Sequence, residues 1–455
     1  MSATWTIVNP STAEPVTEMQ RSSAQDVDAL VEKALQAQVA WAALAPADRA
    51  RLLRAFAEKV DGAIEELARL EVTNSGHTIS NSRWEAGNVR DVLLYYSGAP
   101  ERLFGRQIPV PGGVDLTFKE PIGVVGVIAP WNFPMPIASW GFGPALAAGN
   151  AVMVKPAELT PLTMMRIGEL GLEAGLPEGV LQVVTGQGSV AGWRMVEHPR
   201  VRKICFTGSV EVGKKVMAAC AGNVKRVTLE LGGKSPNIVF ADADLERAAA
   251  QAPYAVFDNA GQDCCARSRI LVERSAYEKF MGLLEPAVKA LRVTDPLDEK
   301  SEMGPLISSD HRSRVASYVT ADIPVAFTGS VPEGPGFWYP PTVLAPVSEE
   351  SVQFSEEIFG PVVAVVPFED EADAIRLANA TDFGLSGSIW TSDVGRAFRV
   401  ARAVESGTLS VNSNSSVRYW TPFGGMRESG LGRELGPDAL DAFTETKNVF
   451  IATAS

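Results

Sequence analysis

The chain has no positive charge to spare: 41 Lys and Arg stand against 54 Asp and Glu, a formal net charge of −13. No basic cluster is dense enough to offset phosphate repulsion, which argues against nucleic acid or an anionic membrane surface as a partner. Long apolar runs are missing too. None reaches the roughly 18 residues of a membrane span. The opening residues, Met1-Ser2-Ala3-Thr4-Trp5-Thr6, show neither the charged nor the apolar segment of a signal peptide. Histidine is scarce, with only His77, His198 and His311, too few for a His-rich metal centre, and no metal is expected. The four cysteines, Cys205, Cys220, Cys264 and Cys265, lack the spacing of a disulfide framework and fit a reducing cytoplasm. Absent as well are low-complexity tracts and a Gly-x-Gly-x-x-Gly turn between the first buried strand and its helix.

What is there is long and regular. With 455 residues the chain exceeds one ordinary core, so two or more domains are expected. Ser23-x-x-Asp26 resembles a capping pair, and Val27, Leu30, Val31, Ala34 and Leu35 continue it as a helical stripe. Pro46 stands where a second helix would start. From residue 121 the rhythm changes: strands are predicted at 124–129, 151–154, 180–184, 203–206 and 226–231. Helices fall between them at 139–148, 160–174, 189–196 and 210–219. Such alternation predicts a mostly parallel sheet covered on both faces, its strand C-termini along one edge. A second α/β run follows, with strands at 237–240, 270–272, 362–366 and 387–390, helices at 245–257, 280–291 and 372–378, and a Pro/Gly-rich surface loop at 331–341. The hairpin at 107–119 and the tail strand at 446–453 fit neither run. Exposed strands aggregate unless paired, so both are expected to pair with a neighbouring subunit.

The chemistry centres on Asn259-Ala260-Gly261-Gln262-Asp263-Cys264-Cys265, a pair of thiols between a helix and a strand. A lone free cysteine is commonly a small buried hydrophobe, so Cys264 needs company to count as a nucleophile. Glu230 ends a predicted strand in Thr228-Leu229-Glu230-Leu231-Gly232-Gly233-Lys234. Desolvation in that apolar run would raise its pKa into the range of a general base, whereas a sheet-edge salt bridge is the competing reading. Asn132, within Pro130-Trp131-Asn132-Phe133-Pro134, can donate to an oxyanion. Phe206-Thr207-Gly208-Ser209 ends a strand and opens a helix, where backbone N–H groups can face a pyrophosphate. Lys155-Pro156-Ala157-Glu158 ends the second strand, where a ribose-reading acid belongs.

Taken in order, these segments resemble the aldehyde dehydrogenase superfamily over nearly the whole chain. Two more motifs stand in register with it, Glu356-Glu357-Ile358-Phe359-Gly360-Pro361 and Pro422-Phe423-Gly424-Gly425. The resemblance implies a Rossmann-like cofactor domain (1–104 and 121–231), a second α/β catalytic domain (232–436) and a small β oligomerisation element (105–120 and 437–455). It implies an NAD-dependent oxidation of an aldehyde to a carboxylic acid, with NADP as the alternative cofactor, in a homodimer or homotetramer. Cys264 would attack the aldehyde, Asn132 and the Cys264 N–H would hold the oxyanion, and Glu230 would activate water. Lys155 would join the catalytic set and, with Glu158, Trp131, Gly208, Ser209, Glu357 and Phe359, would bind the cofactor. Around the aldehyde stand Trp140, Asp258 and Phe423, with Arg418, Tyr419 and Trp420 on an adjoining loop. Asp258 and the aromatic faces favour an ω-aminoaldehyde. Arg418 favours a carboxylate-bearing semialdehyde, unless it pairs with Asp258 and leaves an aromatic slot for aryl aldehydes. Cys265 is read as a neighbour without catalytic duty. His311 stands where a cofactor-side Gln is common in the family and stays unassigned. A CoA-acylating relative and a cofactor-independent thiol hydrolase are the rival readings; Glu230 opposes the first, and Lys155, Glu158 and Glu357 oppose the second.

Overall fold

The computed structural model describes residues 3–415 and 417–453. Helix Ala24–Ala43 begins where the capping pair predicts: the Ser23 hydroxyl accepts from the Asp26 N–H at 3.2 Å, and the Asp26 carboxylate accepts from the Ser23 N–H at 2.8 Å. Asp thus closes the box that Glu or Gln usually closes. Pro46 sits at the start of helix Pro46–Gly62, where its missing N–H costs nothing. Two further helices, Ile64–Ser75 and Ile79–Ser97, follow. Gly76 joins them with φ +80°, and a Cβ there would meet Pro305 at 2.8 Å. Ahead of these helices, Thr4–Val8 and Pro15–Gln20 form an antiparallel hairpin around the turn at Asn9-Pro10-Ser11-Thr12.

Among the described residues two large sheets dominate. The first runs in the order Gly430–Leu431, Arg226–Glu230, Val201–Thr207, Val124–Ile128, Ala151–Lys155, Leu181–Val183. It is parallel except for Gly430–Leu431, which comes from far along the chain and pairs antiparallel beside Glu230. The chain starts in the middle at Val124–Ile128, winds outward to Leu181–Val183, then crosses back to Val201–Thr207. That reversal opens a crevice at the carboxyl ends of the central strands, the usual ligand position in such sheets. Helix Pro134–Ala147 begins five residues earlier than the predicted 139–148. Every residue of it is buried, so no polar stripe marked its limits. The predicted helix at 189–196 starts as a π turn, Gly188–Gly192, and continues as Trp193–Glu197.

The second sheet has the order Val325–Thr328, Thr342–Leu344, Val362–Phe368, Arg269–Glu273, Pro236–Val239, Ser386–Trp390, Thr408–Val411. All neighbours are parallel except the first pair, and the Pro/Gly-rich loop is the connection within that pair. Each sheet carries its own apolar core. The hairpin and the tail do not wait for a neighbour. Thr444–Ala452 runs antiparallel along Gly113–Pro121, which also pairs with Gln107–Val110, so their hydrogen bonds close within one chain.

Candidate active site

Helix Leu245–Phe257 delivers the thiols through a sharp reversal. Asn259, Ala260 and Gly261 all have positive φ, at 49°, 54° and 69°. For the two non-glycine residues this is a strained backbone, of the kind that persists only where its surroundings enforce it. They do so here. The Asn132 amide donates to the Gln262 carbonyl at 2.9 Å, and the Asn259 amide donates to the Asn132 carbonyl at 2.8 Å. The Gln262 side chain accepts from the Ile307 N–H at 2.8 Å. At Gly261 a Cβ would lie 2.2 Å from the Gly360 carbonyl, so only glycine passes.

Cys264 comes to rest, half-buried, on the wall shared by two cavities. One, of about 310 Å³, is lined by Trp84, Phe133, Trp140, Phe423 and Asp258 among others. The other, of about 520 Å³, lies over the carboxyl edge of the first sheet. Its wall gathers Trp131, Asn132, Lys155, Glu158, Gly208, Ser209, Glu230, Glu357 and Phe359. These residues are spread over more than 200 positions, and the strand ends bring them together. The hydrogen bond that the Cys264 thiol donates to the neighbouring Cys265 sulfur, and then burial, hold it well above its ordinary pKa. The resting site therefore keeps a neutral thiol that needs a base.

Glu230 is placed to be one. It is the last residue of its strand, buried, and neither carboxylate oxygen has a hydrogen-bond partner among the described residues. Burial, and then the nearby Glu434 carboxylate, push its pKa well up. Glu434, also buried, is itself raised to about 7, chiefly by burial. Two carboxyls this close cannot both ionise easily, so they titrate as a pair.

The cleft suits a dinucleotide. Ser209 caps helix Val210–Ala221 by accepting from the Val212 N–H, and with Gly208 it puts the start of that helix, where an anion is favoured, on the cleft wall. Lys155 is buried and donates to the Pro156 carbonyl at 2.8 Å; burial lowers its pKa to about 8. Glu357 accepts from the Gly233 N–H at 2.8 Å, and burial raises its pKa to about 7. A Cβ on Gly232 would sit 2.4 Å from a Glu357 oxygen, so the glycine pair makes room for this carboxylate. Glu158 is not alone. Glu158 forms an ion pair with Arg21 at 3.2 Å, and its carbonyl accepts from the Trp5 indole at 2.8 Å. The amino-terminal hairpin thus grips the cleft's rim, which no local pattern in residues 1–21 announced.

His311 joins the cleft as well. Its ring meets Trp131 and Phe359 edge to face, with centroids 5.2 and 6.1 Å away, and its Nε2–H donates to the Phe359 carbonyl at 2.7 Å. Phe359 has φ +60° and packs against Trp131 at 5.3 Å. Arg314, three residues on, reaches the same wall.

On the aldehyde side three expected residues fall outside the cavity. Arg418 and Trp420 are exposed, and Tyr419 packs on Tyr95 and Trp420 at 5.7 and 4.5 Å. Val417 takes the wall position instead. The expected Arg418–Asp258 pairing is not made. Asp258 accepts from the Asn81 amide at 2.5 Å and from the Asn259 N–H at 3.0 Å. Burial raises the pKa of its carboxyl. Trp140 is buried, donates its indole N–H to Asn88 at 3.1 Å, and meets Phe423 edge to face at 5.3 Å. Asn81 and Trp84, both on helix Ile79–Ser97, complete the wall. No local pattern in their segment marks a cavity wall, and Asn81 stands 177 positions from Asp258.

Residues 1–449 match the sequence model of the aldehyde dehydrogenase family. A betaine aldehyde dehydrogenase of Bacillus subtilis (strain 168) is 39% identical over 456 residues, covering 98% of this chain and 93% of that protein. A phenylacetaldehyde dehydrogenase of Pseudomonas fluorescens is 40% identical over 467 residues, covering 99% and 93%. Among solved structures, a betaine aldehyde dehydrogenase from Staphylococcus aureus in complex with NAD+ superposes with a TM-score of 0.96 at 37% identity, covering 99% of this chain and 92% of that one. Because the match runs through both sheets and into the terminal strand, it is the whole architecture that places this chain in the aldehyde dehydrogenase family.

Proposed function

We propose that the protein oxidises an aldehyde to a carboxylic acid with NAD, and that the preferred aldehyde carries a cationic or aromatic tail. One observation carries the reading: Cys264 faces an apolar cavity on one side and the dinucleotide cleft on the other, with Glu230 on the cleft wall. An aldehyde in the first cavity and a nicotinamide in the second would both reach the sulfur.

The residues divide the work. The Cys264 proton leaves towards the Glu230–Glu434 pair, and the thiolate adds to the aldehyde carbon. The Asn132 amide keeps one N–H beyond its bond to Gln262, and with the Cys264 N–H it holds the oxyanion; one such donor contributes roughly 3–4 kcal/mol. NAD supplies the hydride acceptor when bound. Collapse of the tetrahedral adduct leaves a thioester on Cys264, and Glu230 takes a proton from the water that hydrolyses it. Lys155 and Glu158 hold the adenosine ribose, Trp131, Gly208 and Ser209 flank the pyrophosphate, and Glu357 with Phe359 orients the nicotinamide ribose.

Asp258 decides the order of substrates. Trp84, Trp140 and Phe423 offer π faces that suit either an ammonium or an aryl group. An ammonium would also hold Asp258 ionised, whereas a carboxylate-bearing semialdehyde would meet Asp258 and Asp263 as like charges. The relatives named for betaine aldehyde and phenylacetaldehyde are consistent with those two tail types. The test is NADH absorbance with 4-aminobutyraldehyde, benzaldehyde and succinic semialdehyde, in the wild type and Asp258→Asn. The aminoaldehyde is expected to have the highest kcat/KM, and the substitution to cost it about tenfold while sparing benzaldehyde. Succinic semialdehyde as the best substrate would sink this reading.

A further inference from the structure

Cys265 has no part in the steps above, yet it is held against the reacting sulfur. Cys264 and Cys265 occupy the two central positions of a tight turn closed by the Ala266 N–H donating to the Asp263 carbonyl at 3.0 Å. The Asp263 carboxylate accepts from the Cys265 N–H at 2.8 Å and pins the turn from inside. Both sulfur atoms and a carboxylate oxygen of Asp263 lie within 4.8 Å of one another. Both thiols line the aldehyde cavity, so whatever small oxidant reaches one meets the other. Below the turn the buried Arg267 guanidinium donates to the Cys265 carbonyl at 2.5 Å and to the Ser388 hydroxyl at 3.0 Å, placing a cation beside the sulfurs. Cys205 and Cys220 are buried in the core of the first sheet and take no part; burial pushes the Cys205 thiol up to about 12.

We infer that Cys265 is a resolving thiol, which captures oxidised Cys264 as a vicinal disulfide and so protects the nucleophile from irreversible loss. The inference rests on the proposed role of Cys264 as the nucleophile. The co-reactant is a hydroperoxide. In the first step the Cys264 sulfur attacks a peroxide oxygen: an S–O bond forms, the O–O bond breaks, and hydroxide leaves as water after taking a proton. Sulfur is oxidised by two electrons to the sulfenic acid, and the peroxide is reduced. In the second step the Cys265 sulfur attacks the Cys264 sulfur, an S–S bond forms, the S–O bond breaks, and hydroxide departs with the Cys265 proton as a second water.

Geometry makes the product a cap, not a staple. Adjacent Cα atoms are about 3.8 Å apart across a trans peptide, closer than the roughly 4.4–6.8 Å of ordinary disulfides. A bond closed over that spacing is strained, and strained disulfides are the readily reduced ones. A small dithiol entering the aldehyde cavity would regenerate both thiols.

The experiment exposes the wild-type protein to hydrogen peroxide without aldehyde. It then reads intact mass, the cysteines still alkylated by iodoacetamide after unfolding, and the activity recovered with dithiothreitol. Expected are a loss of about 2 Da, protection of both Cys264 and Cys265 from alkylation, and recovery of activity. Cys265→Ser, measured against its own untreated activity, should gain about 32 Da as the sulfinic acid and recover about tenfold less. Protection of Cys264 alone would mean that the backbone nitrogen traps the sulfenic acid, and would overturn the proposal. So would oxygen gain in the wild type with no disulfide. A disulfide that forms without loss of activity would leave the capture chemistry standing and overturn the role of Cys264 in turnover.

Discussion

Glu230 and Glu434 make one titrating unit, and its consequences are readable residue by residue. The base must be ionised to take a proton, and burial together with the Glu434 charge raises the pKa of Glu230. Activity should therefore fall as the pH drops and the raised Glu230 carboxyl takes up its proton. Glu434→Gln removes the like charge, so the Glu230 pKa falls and the acid limb of kcat/KM moves to lower pH. A limb that stays put or moves upward would show that the pair does not couple. Glu230→Gln keeps the shape and loses the base; a burst of NADH followed by a slow phase is expected, since hydrolysis of the thioester suffers most. Equal loss of burst and steady rate would count against a base in that step. Gly232 is the third residue with a sharp consequence. A methyl group 2.4 Å from the Glu357 carboxylate forces that side chain aside. Gly232→Ala should raise the KM for NAD several-fold to a hundredfold, the range of about 1–3 kcal/mol for overpacking, with little change in fold by circular dichroism.

At the scale of elements, the amino-terminal hairpin makes a contact its own sequence did not disclose. Arg21, just past strand Pro15–Gln20, neutralises part of the Glu158 charge. That weakens the repulsion which would otherwise exclude a 2′-phosphate, so NADP is expected to serve as a slower cofactor. Arg21→Ala should lower kcat/KM with NADP about tenfold relative to NAD, as a lost charge-assisted contact of roughly 1.5–3 kcal/mol allows. An unchanged ratio would dismiss the hairpin from cofactor choice. Elements with sharp punctuation were legible: helix Leu245–Phe257 has Asp244 as its cap, its side chain accepting from the Arg247 N–H, and the left-handed residues at its end. Elements without contrast were not. Ile64–Ser75 and Ile79–Ser97 carry Asn, Ser, Gly and His at their junction, and they hold as helices because they pack on each other, the first also on Leu162–Glu173 and the second on Pro134–Ala147. Val325–Thr328 and Thr408–Val411 are too short and too polar in context to read as strands before a sheet edge recruits them.

Across the whole molecule, no helix among the described residues is long and apolar enough to cross a membrane. The small sheet of Gln107–Val110, Gly113–Pro121 and Thr444–Ala452 leaves Ile108, Phe118, Phe450 and Ile451 exposed, and its outer edges unpaired within the chain. Such a ribbon is a natural assembly surface. A dimer or tetramer is expected by light scattering at micromolar protein, and Phe450→Glu with Ile451→Glu should shift it towards monomer. A monomeric wild type would remove the ribbon from that role. The linear order of residues by itself determined the alternation that builds two α/β sheets. It also singled out the proposed nucleophile, base and amide, because Cys264, Glu230 and Asn132 each sit at a strand or helix end whose flanking Gly and Pro are visible locally. Only the tertiary structure decided which groups surround them. Val417 lines the aldehyde cavity in place of Arg418, Asn81 holds Asp258, Arg21 answers Glu158, and Glu434 raises the pKa of Glu230. The reason is physical: pattern and punctuation act over a few residues, whereas these partners are 137 to more than 200 positions apart and meet only when the sheet crossovers have been closed.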